Sequence, residues 1–270
     1  MVESAPSAEA GASDNPRLPH AVLDLPSRRW KGEKILRLLG LTARATPWRV
    51  LEIGTGSGGI AHYLGTHPDI RCTVTSVDVV DVREVSDGFD FKLVSGTALP
   101  FGDGEFDVVI SNHVIEHVGA RSEQLAHLRE CRRVLAPMAV GYLAVPNRWM
   151  LVEPHYRLAF LSWWPRGWRS AYLRLMRRGS FYDCEPLTVP ELQALFTEAS
   201  LLGENITIAA LRETIAIEAP RSFLVRLAAS LPDPVWRRLL RCMPTLIYRF
   251  AKDPACPDDD QRGVREVPAR

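Results

Sequence analysis

The sequence predicts an α/β protein built on a doubly wound, mainly parallel sheet, and three observations carry that expectation. Val50-Leu51-Glu52-Ile53 is a short apolar strand that runs directly into the glycine-rich turn Gly54-Thr55-Gly56-Ser57-Gly58-Gly59. A second strand, Cys72 to Val77, ends at Asp78, and a further one, Phe106 to Asn112, is an almost unbroken buried run. Segments with helical spacing alternate with these strands, for example Leu125, Leu128, Cys131 and Leu135, stopped by Pro137.

Composition bounds the rest. With 270 residues, 46% of them apolar, the chain can bury a sizeable core as one globular domain with appendages. Its 33 basic and 32 acidic residues leave a net charge of +1, which disfavours nucleic acid as substrate or partner. Five cysteines, at 72, 131, 184, 242 and 256, form no C-x-x-C pair and show no metal spacing, so free thiols in a reducing, cytoplasmic setting are expected. Residues 1–25 are rich in Ala, Ser and Pro and lack the basic start and apolar core of a signal segment, so they read as a disordered tail. Residues 253–270, with Pro254, Pro257 and Asp258-Asp259-Asp260, read the same way, leaving 26–252 as the main domain. Apolar runs fall short of the roughly 18 residues a membrane span needs.

In chain order, a helix from Trp30 to Leu41 with Ile35, Leu36 and Leu39 on its buried side precedes the first strand and caps the crevice behind it. The turn must bring backbone close to a ligand, which Gly54, Gly56 and Gly58 permit because they lack a Cβ. A helix starting near Ser57 would aim unpaired N–H groups at that crevice. Gly54, Gly56 and Gly59 also satisfy G-x-G-x-x-G, so a dinucleotide pyrophosphate fits the pattern. Glu52, two residues ahead, would repel a pyrophosphate and attract an ammonium group, so the expected ligand carries a cation. Asp78 lies 24 residues beyond Gly54, a distance that suits a carboxylate accepting both protons of a ribose diol; Asp81 is its nearby competitor.

Glu52-Ile53-Gly54-Thr55-Gly56-Ser57-Gly58, together with Val94-Ser95-Gly96-Thr97-Ala98-Leu99-Pro100-Phe101 and Phe106-Asp107-Val108-Val109, resembles the class I S-adenosylmethionine-dependent methyltransferases, in particular their small-molecule, type 11-like branch. The resemblance implies a Rossmann-like seven-stranded sheet in the order 3-2-1-4-5-7-6 with an antiparallel last strand, and S-adenosylmethionine as cofactor. It assigns Glu52 to the methionine amino group, Gly54, Thr55, Gly56 and Gly58 to the methionine and ribose portions, and Asp78 to the ribose. Ser95, Gly96, Thr97, Ala98 and Asn112 complete the implied cofactor set, with a hydroxyl standing where the family usually carries an aspartate against the adenine. The usual Pro-Gly-Gly turn appears here as Pro137-Met138-Ala139, followed by a strand from Gly141 to Val145.

Two insertions are expected to govern substrate choice. The first, a lid over 148–187, holds Trp149, Trp163, Trp164 and Trp168 with Glu153-Pro154-His155-Tyr156, residues suited to enclosing an apolar or planar acceptor; packing of the lid onto the domain explains them equally well. The Glu-Pro-His-Tyr segment also looks like methyltransferases that act on glycan- or lipid-linked substrates. Thr188-Val189-Pro190-Glu191 forms a capping box that restarts the main domain, and a strand from Asn205 to Ala210 follows. The second insertion, 220–242, reads as two basic amphipathic helices, Ser222 to Leu231 and Pro234 to Cys242, which suit core packing, a dimer contact or, through Trp236, a peripheral membrane contact. Thr245 to Phe250 reads as the final strand.

Methyl transfer from a sulfonium requires a base only when the acceptor must lose a proton. His117 and then His155 are the candidate catalytic residues, with His113, Glu116 and Tyr156 nearby. A helix starting at His113 would align His113 with His117, but no third ligand has supporting spacing, so no metal is expected. The partner is a small-molecule or lipid-linked substrate, and the oligomeric state is open. Two other classes share the glycine turn: an NAD(P)-dependent oxidoreductase and a non-catalytic cofactor-binding protein.

Overall fold

The computed structural model describes residues 24–218 and 231–256. Most of the expected tails, and nearly all of the helix expected over Ser222 to Leu231, lie outside these residues. The strands in chain order are β1 (Trp48–Ile53), β2 (Cys72–Asp78), β3 (Asp90–Leu93), β4 (Phe106–Asn112), β5 (Leu135–Pro146), β6 (Val152–Glu153), β7 (Leu158–Ala159), β8 (Leu201–Asn205) and β9 (Thr245–Lys252). The helices are α1 (Leu25–Leu39), α2 (Gly59–Gly65), α3 (Arg121–Val134), α4 (Arg166–Leu175), α5 (Val189–Glu198), α6 (Thr207–Glu218) and α7 (Asp233–Leu239).

Seven strands form one sheet in the order β3-β2-β1-β4-β5-β9-β8, and β6 and β7 form a separate hairpin. The first five are parallel, whereas β9 runs antiparallel to both β5 and β8. The strand order reverses between β1 and β4, and such a reversal opens a crevice at the carboxyl ends of those strands.

Period-2 alternation builds the two layers. Val50, Val74, Val108, Ile110 and Tyr142 pack with Ile35, Leu36, Leu39, Ile60 and Leu64 of α1 and α2. Leu51, Val77, Val109 and Leu143 face the other way, onto Leu128 and Val134 of α3 and Leu195 and Phe196 of α5. Each such side chain contributes about 1.5–3 kcal/mol of transfer free energy, and a one-residue slip of register would exchange the two sets. At the amino end of this layer Asp107 accepts from the Arg49 backbone N–H at 3.1 Å and from the Arg49 and Arg44 guanidinium groups. The aspartate of the Phe-Asp-Val-Val run therefore staples β1 to β4 and lies at the end of the strand remote from the crevice.

Several boundaries differ from the sequence reading. α1 begins at Leu25 because Asp24 caps it and Pro26 occupies its first turn, and it ends where Gly40 turns left-handed at φ 67°. The segment expected as a strand from Asn205 to Ala210 belongs mostly to α6, since the Asn205 side-chain oxygen takes the Thr207 N–H at 3.1 Å and turns the chain; the pairing with β9 falls on Leu201–Asn205 instead. No helix starts at His113. Residues 113–120 form turns, with His113 at φ 59°, and α3 starts at Arg121. Pro137-Met138-Ala139 lies inside β5 as an irregularity, with Met138 at φ 61° and fully exposed. The helix expected over Pro234 to Cys242 divides into α7 and a 3-10 turn at Leu240–Cys242. Its Trp236 faces inward at 9% exposure, which removes the residue that suited this segment to a membrane surface. The capping box of Thr188 and Glu191 is present in both directions.

On β5, Gly141 leaves room for the Phe250 ring: a Cβ built there would lie 2.0 Å from a ring carbon. That ring is 1% exposed and sits 5.9 Å from Phe196, so it has no space to move into. Gly141→Ala is expected to destabilise the fold by about 1–3 kcal/mol, read as a lower urea midpoint with an unchanged slope.

Candidate functional site

The crevice is floored by the turn after β1. Gly54, Gly56 and Gly58 have φ of 83°, 52° and 81°, a region that L side chains enter only with strain. Close approach adds a second reason, since a Cβ on Gly54 would meet Val114 Cγ2 at 2.3 Å and one on Gly58 would meet the Val85 carbonyl oxygen at 2.5 Å. Thr55 and Ser57, within the turn, are buried with side-chain oxygens that have no protein partner.

Glu52 is 1% exposed, and its Oε2 likewise has no hydrogen-bond partner in the protein. Burial pushes its carboxyl up to about 8 from an ordinary 4.5, against the opposing pull of Arg28, the Ala61 N–H and Lys31; nearby Asp78 pushes in the same direction as burial. Arg28 and Lys31 belong to α1, which covers the crevice as expected. Burial, aided by Arg28 and Lys34, brings the Lys31 ammonium down to about 7. These two cations were not singled out in the sequence, although Lys31 is one of only four lysines in an arginine-rich chain.

Asp78 closes β2 one strand away. Its Oδ2 accepts the Gly56 N–H at 2.9 Å and its Oδ1 accepts the Val79 N–H at 2.7 Å, so the carboxylate is held against the glycine turn. Asp81, the competitor, pairs with Arg83 at 2.8 Å on the surface. Ser95, Gly96 and Ala98 are exposed and Thr97 half-buried in the loop after β3. That loop is fixed further on: Arg133 donates to the carbonyls of Leu99 at 3.0 Å and Phe101 at 2.8 Å, and the Leu99 N–H donates to Glu130 at 2.8 Å. Asn112, at the carboxyl end of β4, has a buried Oδ1 without a protein partner. Among the described residues, the ends of β1 and β4 and the turn between them thus present several unsatisfied buried oxygens, where water or a polar ligand must enter.

Beyond Asn112 the chain turns through His113, Glu116 and His117. Glu116 is fully buried, with Oε1 at 3.2 Å from His113 Nδ1 and 3.9 Å from His117 Nε2. The lid joins the domain at Asn147, whose amide donates to the carbonyls of Arg241 at 2.9 Å and Met243 at 2.9 Å, and it returns through a bridge to Leu187. Its own small core consists of Tyr156, Leu158, Leu161, Leu173, Tyr182 and Cys184. Tyr156 is therefore a packing residue, 3% exposed with its hydroxyl donating to the Phe181 carbonyl at 3.1 Å, and not a residue open to a substrate. Trp149, Trp163, Trp164 and Trp168 stay outside this core at 40%, 39%, 43% and 65% exposure. They meet in pairs, Trp149 edge-on to Trp163 and Trp164 stacked with Trp168.

His113 and His117 both approach Glu116 Oε1 but from turns rather than along one helix face, and the structure brings His117, His155 and Cys184 together, with their donor atoms within 4.8 Å of one another. Cys184, 67 residues beyond His117, is the third donor that the sequence spacing did not supply. Its only local mark is the polar run Tyr182-Asp183-Cys184-Glu185.

Comparison with known proteins agrees with this geometry. Residues 51–143 match the family described as "Methyltransferase domain". A ubiquinone biosynthesis O-methyltransferase of Parvibaculum lavamentivorans is 29% identical over 147 residues, covering 47% of this chain and 54% of that protein. A demethylmenaquinone methyltransferase of Thermotoga maritima is 28% identical over 137 residues, covering 48% and 58%. The chain thus spans little more than half the length of these curated relatives. A chain of the complex between the Haloferax volcanii Trm112 methyltransferase activator and a methyltransferase superposes with a TM-score of 0.50 at 18% identity, covering 84% of this chain and 90% of that one, a likeness of fold. Residues 51–143 are thus similar to a methyltransferase domain, and the likeness to solved structures extends to the fold.

The raised Glu52 carboxyl makes a test of the crevice. A proton held in the folded protein up to about pH 8 is released near 4.5 on unfolding, so the stability associated with Glu52 is present below 4.5 and is lost as pH rises to about 8. Glu52→Gln, which cannot ionise, is expected to gain thermal stability relative to the parent steadily between pH 5 and pH 8. Melting curves with a pH-independent difference would remove Glu52 from the buried, uncompensated position described above.

Proposed function

We propose that this protein is an S-adenosylmethionine-dependent methyltransferase whose acceptor is a small molecule or the head of a lipid- or glycan-linked compound. The observation that carries this reading is the pair of carboxylates, Glu52 and Asp78, at adjacent strand ends on either side of the glycine turn. The cofactor, when bound, supplies an electrophilic methyl group on a sulfonium for in-line displacement. The orphan oxygens of Glu52, Thr55, Ser57 and Asn112 suit a ligand rich in donors.

Each residue then has a physical task. Glu52 meets the ligand's ammonium, which pulls the carboxyl back toward its ionised form and releases a proton on binding near neutral pH. Asp78 accepts from the ribose hydroxyls, and the three left-handed glycines let the backbone pass beneath the methionine and ribose. Ser95, Gly96, Thr97 and Ala98 border the adenine. Because charge disperses in the transition state, acceleration comes mainly from alignment and exclusion of water, which the lid supplies. His117 and His155, both half-buried beside the lid, are the groups available to remove a proton where the acceptor carries one.

Two features support an apolar acceptor. Two relatives are named for ubiquinone biosynthesis and for demethylmenaquinone, and the lid displays four exposed tryptophans among arginines. Among the described residues no helix is long and apolar enough to cross a membrane, and the exposed tryptophans of the lid are the surface we propose for contact with a lipid-linked acceptor.

Asp78→Ala is expected to weaken S-adenosylhomocysteine binding about tenfold to a hundredfold in calorimetric titration, since each charge-assisted hydrogen bond contributes roughly 1.5–3 kcal/mol. A parent protein stabilised by NADH but not by S-adenosylhomocysteine in a thermal-shift assay would instead favour a nicotinamide enzyme. For the lid, flotation with anionic vesicles at low salt is expected to carry the protein upward, and Trp164→Ser with Trp168→Ser to reduce it. Recovery of the parent in the soluble fraction would leave the tryptophans to the acceptor alone.

A further inference from the structure

We infer that His117, His155 and Cys184 form a binding site for a single divalent, thiophilic metal ion of the Zn2+ type. Three segments far apart in sequence converge there: the turn after β4, the tip of the β6–β7 hairpin and the returning arm of the lid. All three donor atoms lie within 4.8 Å of one another, and the His117 Nδ1 to Cys184 Sγ separation is 3.8 Å. Around a tetrahedral zinc ion, with bonds of about 2.0–2.1 Å to nitrogen and about 2.3 Å to sulfur, neighbouring donors stand roughly 3.3–3.6 Å apart. Contraction by a few tenths of an ångström at the closest pair, and by somewhat more at the widest, would close the site.

The surroundings hold the donors in place and complete the second layer a metal site needs. The Glu185 N–H donates to the Glu116 carbonyl at 2.8 Å, which fastens the Cys184 arm to the His117 turn. Gln124, buried on α3, donates to the Glu185 carbonyl at 3.1 Å. The hairpin tip is set by Glu153, whose carboxylate accepts the Tyr156 N–H at 2.7 Å beside His155. With Nδ1 of His117 turned to Cys184, its Nε2 lies 3.9 Å from the buried Glu116 carboxylate, a charge neighbour that would have to move closer to hydrogen-bond a ligating imidazole. Glu116 Oε2 has no other hydrogen-bond partner in the protein.

Cys184 is 1% exposed whereas both histidines are half-buried, so the sulfur anchors the ion and the imidazoles lie toward the open side. Three protein ligands leave a fourth position for water or a substrate heteroatom, as in catalytic rather than structural zinc sites. His117 lies against Glu116, which in turn acts electrostatically on Lys31 of the helix over the crevice, so the open position faces that side of the molecule. Activation of a hydroxyl or thiol acceptor there rests on the proposed methyl transfer; binding of the ion does not.

The test is metal binding by the full chain after chelator treatment, with Zn2+ titrated against a colorimetric competitor and Co2+ read by absorption. One equivalent is expected, with the visible bands of tetrahedral cobalt and a near-ultraviolet thiolate-to-cobalt transition. Cys184→Ser should abolish the thiolate transition, and Cys256→Ser, at an exposed free cysteine, should keep it. Because Cys184 is buried, His155→Asn at the half-buried hairpin tip provides a second variant, expected to weaken Zn2+ binding roughly a hundredfold. Failure of the parent to bind Zn2+ at micromolar concentration, or binding that survives both Cys184→Ser and His155→Asn unchanged, would overturn the inference whether or not S-adenosylhomocysteine binds.

Discussion

A carboxylate without water around it organises this molecule. Glu52 sits at the carboxyl end of β1, beside the central strand β4, where the cations of α1 and the Ala61 N–H favour its charged form and a ligand's cation would do the same. Leaving such a group uncompensated is costly, so the site is built to receive a positive charge. α1 serves that arrangement twice, packing Ile35, Leu36 and Leu39 on the sheet and bringing Arg28 and Lys31 over the strand end. The glycine turn follows from the same constraint, because a backbone that passes this close to Val114 and Val85 leaves no room for a Cβ at Gly54 or Gly58.

The sheet then divides labour along its length. At the amino ends of β1 and β4, Asp107 ties the strands together through Arg44 and Arg49. At the carboxyl ends, the polar groups are left open, and the lid and residues 231–242 of the second insertion meet beside β5. Asn147 joins both insertions with one side chain, accepting the Trp149 N–H and donating to carbonyls at 240, 241 and 243. Within the lid a small core of Tyr156, Tyr182, Leu158, Leu161, Leu173 and Cys184 is buried, while the tryptophans lie on its outer side, Trp163 tied back by its ring N–H to the Met150 carbonyl at 2.8 Å.

Much of the fold was legible in the sequence because the signals involved are local. Alternation along Val108, Val109 and Ile110 identifies a two-faced buried strand, and a capping box names the start of α5 to the residue. Where local signals competed, they misled. The β-branched run Ile206-Thr207-Ile208 has strand character, yet Asn205 caps a helix there because the sheet edge is already completed by Leu201–Asn205. The apparent helix from His113 is a set of turns, since the chain must leave β4 sharply to pass over the glycine turn.

By itself, the sequence determined the strands β1, β2, β4 and β9, the start of α5, the glycine turn and the two acidic strand ends, all of which depend on residues within a few positions of one another. Only the tertiary structure decided that Glu52 loses its water, that Trp236 and Tyr156 turn inward, and that a cysteine 67 residues downstream meets His117 and His155. Those outcomes depend on which surfaces the insertions bury against the domain. Long-range packing sets the dielectric and the neighbours of each group, and neither is encoded in the spacing of residues along the chain.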